Sequence, residues 1–152
     1  MFEEPIRITM SLPSRPEYLD LVQDLAVSVA RLCGFGEDGQ TDIGLAMREG
    51  AVNAMKHGNR LDPRLPIDVE ITGSIERLTM TIRDRGQGFD PRAVPDPTLP
   101  ENILKSSGRG LFLIHTLVDE VSFHRRSPGM ELVLVKRRPA LAAGASAERR
   151  AR

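Results

Sequence analysis

The chain has 152 residues, enough for one domain with a proper core, and its 21 basic residues balance 21 acidic ones. That balance removes the electrostatic case for direct binding to nucleic acid or to a membrane surface. No apolar run approaches the ~20 residues of a membrane span, and the short acidic N-terminus does not read as a signal peptide. The single cysteine, Cys33, cannot form an internal disulfide. It suits a reducing cytosol, so the expected location is cytoplasmic.

Residues 6–11 alternate apolar and polar and read as a strand, after which Pro13 and Pro16 turn the chain. Tyr18, Val22, Leu25, Val29 and Leu32 mark a first helix that ends near Gly34. A second helix is expected over residues 41–56, where Ile43, Ala46, Met47, Gly50, Ala51 and Ala54 recur at helical spacing. Gly58, Asn59 and two prolines then form a connector, followed by strands at 67–72 and 78–83. Residues 90–107 carry Pro91, Pro95, Pro97 and Pro100 with little periodicity, too long a stretch for an ordinary loop. Gly108 and Gly110 open an apolar helix at 111–118, and strands at 121–124 and 131–136 flank a turn at Ser127, Pro128 and Gly129. The alanine-rich end, with Arg149, Arg150 and Arg152, reads as a frayed tail. The organisation is therefore one domain at 1–138 and a disordered tail at 139–152. The expected fold is an α/β two-layer sandwich: a mixed, largely antiparallel sheet with helices on one face.

Three short blocks carry the chemistry. On the second helix Glu49, Asn53 and His57 fall at i, i+4 and i+8, a polar stripe within roughly 80° and about 12 Å long. Asn53 offers a neutral amide oxygen, a hard ligand suited to Mg2+ that keeps waters and substrate phosphates. Glu49, one turn earlier, reaches the same region as a general base. Taken alone, the stripe reads more simply as a solvated helix face, and His57 before Gly58 as a helix end. The second block, Asp84, Gly86 and Gly88, follows a strand. Its carboxylate can accept from an adenine amino group, and its glycines let backbone approach a flat base. The plain alternative is an ordinary turn. The third block, Gly108, Arg109, Gly110 and Leu111, opens a helix whose unpaired N–H groups favour phosphate oxygens, with Lys105 and Arg109 adding charge for the γ-phosphate. Each block is weak by itself; their order and placement together point to an ATP site.

In those blocks the chain resembles the GHKL, or Bergerat, ATP-binding fold, and within it the anti-sigma-factor serine kinases of bacterial partner-switching systems. The resemblance spans residues 6–137. It implies ATP and Mg2+ as cofactors, with Asn53 on the metal, Asp84 on adenine and Glu49 orienting or deprotonating the acceptor. His57, Gly86, Gly88, Lys105, Gly108, Arg109, Gly110 and Leu111 would complete the nucleotide site, and residues 90–107 would form the ATP lid. The implied partners are an anti-sigma-factor antagonist, phosphorylated on serine or threonine, and a sigma factor; a homodimer is left open. The chain departs from the family pattern at Ser106, where members often carry arginine, and at Met130, which follows Gly129 where threonine is common. A non-catalytic binding module and a detached histidine-kinase catalytic domain stand as alternatives. Glu49 speaks against the first, since binding alone needs no such carboxylate. Against the second, no helix pair with a phosphoacceptor histidine precedes the domain.

Overall fold

The computed structural model describes residues 4–87 and 106–140. Five strands form one sheet in the order β1-β2-β3-β5-β4: β1 is Ile6–Pro13, β2 Pro66–Gly73, β3 Arg77–Arg83, β4 Glu120–Arg125 and β5 Met130–Arg137. All four pairings are antiparallel, so within the described residues the sheet is not mixed. Helices α1 (Leu19–Leu32), α2 (Glu37–Val52) and α3 (Ser106–Leu117) contribute to a single core with the strands.

Alternation along the strands decides the two faces. Ile67, Val69 and Ile71 of β2, Leu78, Met80 and Ile82 of β3, and Leu132 and Leu134 of β5 point into the core. They meet Val22, Ala26 and Val29 of α1, Ile43, Met47 and Ala51 of α2, and Ile114 of α3. The opposite face is polar. Across it Asp68, Arg83, Glu131 and His124 are register neighbours on successive strands, so unlike charges sit side by side. Cys33 closes α1 and is buried; desolvation pushes its thiol above the ordinary range, as expected of an inert packing residue.

Two elements differ from the expectation in ways that shape the site. The second helix begins at Glu37, four residues before Thr41, because Gly36, Glu37 and Asp38 supply a sound N-terminal turn although it lacks apolar periodicity. It stops being α-helical at Val52 and continues as a π turn over Asn53–Gly58. There the Asn59 N–H reaches back five residues to the Ala54 carbonyl, at 2.8 Å. The third helix starts at Ser106, so Gly108 and Gly110 lie within its first turns rather than ahead of it.

Candidate functional site

Residue 84 follows β3, at the end of the sheet where the π turn and the β4–β5 hairpin converge. Asp84 is 5% exposed, which demands partners for its carboxylate. Oδ1 accepts from the backbone N–H groups of Gly86 at 3.0 Å and Met130 at 3.2 Å. Among the described residues no hydrogen bond engages Oδ2, which faces Gly58. Burial pushes the carboxyl above the ordinary aspartate value, against the two N–H groups and the Arg83 charge, which pull it down. Among the described residues the buried carboxylate thus has one oxygen held by backbone and a second with capacity to accept a further hydrogen bond.

The backbone around Asp84 is packed to its limit. A methyl group on Gly58 would collide with the Asp84 carboxylate, one on Gly86 with the Gly58 carbonyl, and one on Gly129 with the Asp84 carbonyl. Gly129 also needs its glycine for φ +96°. The hairpin is pinned further by the Asp84 N–H, which donates to the Met130 carbonyl at 3.0 Å. Met130 thus serves the site through both of its backbone groups. The departure from threonine there leaves these bonds intact.

At the other end, α2 and α3 bring the first and third blocks together. A methyl group on Gly110 would lie 3.0 Å from Glu49 Oε2 and 3.6 Å from Asn53 Oδ1. Both side chains are partly exposed and aim at the glycine-bearing turn of α3. Asn53 is the first residue of the π turn, a device that concentrates at functional positions. Its amide oxygen beside Glu49 forms a hard, oxygen-rich corner that fits Mg2+ together with phosphate oxygens. Leu111 is buried in the core and anchors α3, while Arg109 is exposed beside Gly110.

The structure therefore joins Glu49, Asn53 and Gly110 at one end, with Arg109 and Leu111 as chain neighbours of Gly110, and Asp84 and Gly86 at the other. His57 is exposed at the end of the π turn, and no described hydrogen bond ties it to the rest. Gly108 lies on α3. Gly88, Lys105, nearly all of the expected lid and most of the tail lie outside the described residues. Sequence reading missed Asn59 as more than a connector, and missed Gly58, Gly129 and Met130 as walls of the site. The available signals were the adjacency of Gly58 to His57 and the family-pattern position at Gly129 and Met130.

Residues 12–136 match the family model of the histidine kinase-like ATPase domain. The chain belongs to that family. It is 31% identical over 137 residues to the serine-protein kinase RsbW of Staphylococcus epidermidis, covering 85% of each chain. It is 29% identical over 136 residues to that of Listeria monocytogenes serovar 1/2a, covering 86% of each. Within the family the chain belongs with these serine-protein kinases. Among solved structures, that of the RsbU and RsbW domains of Rv1364c from Mycobacterium tuberculosis superposes with a TM-score of 0.62 at 22% identity. The match covers 90% of this chain and 33% of that one, and it establishes the shared fold. Among the described residues, no helix is long and apolar enough to cross a membrane.

Proposed function

We propose that the protein is an ATP-dependent serine/threonine kinase that phosphorylates an anti-sigma-factor antagonist and holds a sigma factor when that antagonist is withdrawn. The observation that carries this reading is the convergence of Glu49 Oε2 and Asn53 Oδ1 on Gly110. A module that only bound nucleotide would need the amide and the glycine but not the carboxylate.

Each residue then has a task. Asp84 Oδ2 accepts from the adenine amino group, and Gly58 and Gly86 keep the backbone close to the base. The N-terminal turns of α3 would take the phosphates, with Arg109, Lys105 and His57 as the proposed further contributors of charge and hydrogen bonds. Asn53 would hold Mg2+, which would neutralise charge developing on the transferred group. Glu49 takes the proton of the incoming serine or threonine hydroxyl as its oxygen bonds to the γ-phosphorus and ADP leaves. Residues 90–107 are the proposed ATP lid, whose task would be to exclude water from the triphosphate. The reading places the kinase in the cytoplasm beside its partners, and light scattering reads whether a homodimer presents two such sites.

The test is incubation of the protein with γ-labelled ATP and a set of candidate antagonist proteins. Acid-stable label on serine or threonine of one of them is the expected result. Label on the protein's own histidine would favour the two-component reading. ATP-dependent capture of a partner without any label would reduce the protein to a binding module.

A further inference from the structure

Asn59 is 2% exposed, the most deeply buried polar side chain after Ser14 among the described residues. A side-chain amide so placed must satisfy two N–H groups and an oxygen within the protein. Its Nδ2 donates to Ser14 Oγ at 2.9 Å and to the carbonyls of Leu65 and Pro66 at 3.0 and 3.1 Å. Ser14 Oγ in turn donates to the Leu65 carbonyl at 2.6 Å. Its Oδ1 accepts from the backbone N–H of Arg85 at 2.7 Å. The orientation of the amide is fixed by its neighbours: an N–H can only donate and two carbonyls can only accept. A carboxylate would set an oxygen against those carbonyls, and an aliphatic side chain would strand the Arg85 N–H.

The place of Asn59 in the chain gives this network its meaning. Its own N–H closes the π turn that begins at Asn53. Its side chain holds the residue immediately after Asp84. Arg85 is held a second time, by its guanidinium on Asp68 Oδ2 of β2 at 2.7 Å. One buried residue thus bonds the turn bearing the phosphate-side amide and the turn bearing the base-side carboxylate. We propose that Asn59 is the positioning residue of the nucleotide site, setting the Asp84–Gly86 turn against the π turn so that one carboxylate oxygen faces the base. This rests on the reading of Asp84 as the adenine acceptor. Asn59 touches no nucleotide in this account; it acts through Arg85.

A residue that merely supports the fold and one that aims Asp84 predict different binding data. Loss of folded population lowers the affinity of every ligand by the same factor. Loss of aim lowers only the part of affinity that depends on the adenine amino group. Calorimetric titration of the full chain with Mg-ADP and with its analogue lacking the 6-amino group separates the two. Wild type should prefer ADP by about tenfold or more, the value of a hydrogen bond to a charged acceptor. In Asn59→Ala the ADP affinity should fall about 10- to 100-fold, the range seen when an outer partner of a ligating group is lost. The preference should collapse towards one, with the analogue barely affected.

Ser14→Ala leaves Asn59 its two carbonyl acceptors and should narrow the preference about 2- to 10-fold. That variant carries the test if Asn59→Ala does not fold. Equal weakening of both ligands in the folded variant, or an unchanged preference in Ser14→Ala when Asn59→Ala fails to fold, would overturn the positioning role. A wild type that does not distinguish the two ligands would instead remove the adenine reading of Asp84, and the proposal with it.

Discussion

At the proposed base-reading end, Gly58 packs on the Asp84 carboxylate, Gly86 on the Gly58 carbonyl and Gly129 on the Asp84 carbonyl, with no space for one added methyl group. At the proposed phosphate end, Glu49 and Asn53 are partly exposed side chains, and a methyl group on Gly110 would press on Glu49 Oε2 at 3.0 Å and touch Asn53 Oδ1 at 3.6 Å. The first end is over-determined by buried hydrogen bonds and is finished before any ligand arrives. The second is an arrangement of partly exposed side chains, to which the proposed function gives the phosphates and the metal. On the proposed function, recognition of the base is a property of the fold, whereas transfer depends on a few side chains that the fold does not need.

The largest expected effect lies at the movable end. Glu49→Gln keeps shape and removes the base, so phosphoryl transfer to an antagonist should fall by roughly 10²–10⁴. Nucleotide affinity should stay within a few-fold, and thermal stability should not move. A variant as active as wild type would confine Glu49 to the solvated helix face.

The same substitution made at both ends should give opposite signs. Gly86→Ala forces a methyl group onto the Gly58 carbonyl; it should cost about 1–3 kcal/mol of stability and abolish ADP binding. Gly110→Ala meets only the tips of the Glu49 and Asn53 side chains and sits within a helix, where alanine is favoured by about 0.5–1 kcal/mol. It should hold or raise stability while slowing transfer by displacing the carboxylate. Equal losses from both would erase the contrast between the ends.

A smaller effect is expected with pH. The Asp84 carboxyl is raised by burial, so it protonates earlier on acidification than an ordinary aspartate. ADP affinity should be level above that raised value and fall as pH drops through it, while Asp84→Asn gives the flat reference. The unliganded protein should respond in the opposite direction. A raised folded value stabilises below the ordinary aspartate range, and that contribution is lost as pH rises through the folded value. Affinity that declines in parallel in wild type and variant would assign the titration to another group.

The legibility of the site in the sequence follows the same division. Glu49 and Asn53 were readable because one helical repeat puts them on one face, and Asp84 because it ends an alternating strand. The core faces of β2, β3 and β5 followed from alternation alone. The walls of the base site were not readable, since they arise from backbone groups of Gly58, Gly129 and Met130, brought together over 46 residues between Asp84 and Met130. Asn59 looked like a turn residue because its partners, Ser14 and Arg85, lie 45 residues before it and 26 after. The π turn leaves no mark in apolar spacing: Ala54 and Met55 are buried whether the turn closes at four residues or five. The early start of α2 was hidden for a similar reason, its first turn being polar and held by charge near the N-terminus.

The central claim is that Asp84 reads adenine in a site the fold has already built, and titration of Asp84→Asn with Mg-ADP tests it most directly. The asparagine oxygen can still accept from Gly86 and Met130, and the buried charge is gone, so the unfolding midpoint should be unchanged or higher. Exchange of the second carboxylate oxygen for an amide should weaken ADP by about 10- to 150-fold, as expected for a charged hydrogen bond turned against its donor. A folded variant that binds Mg-ADP as tightly as wild type would contradict the account.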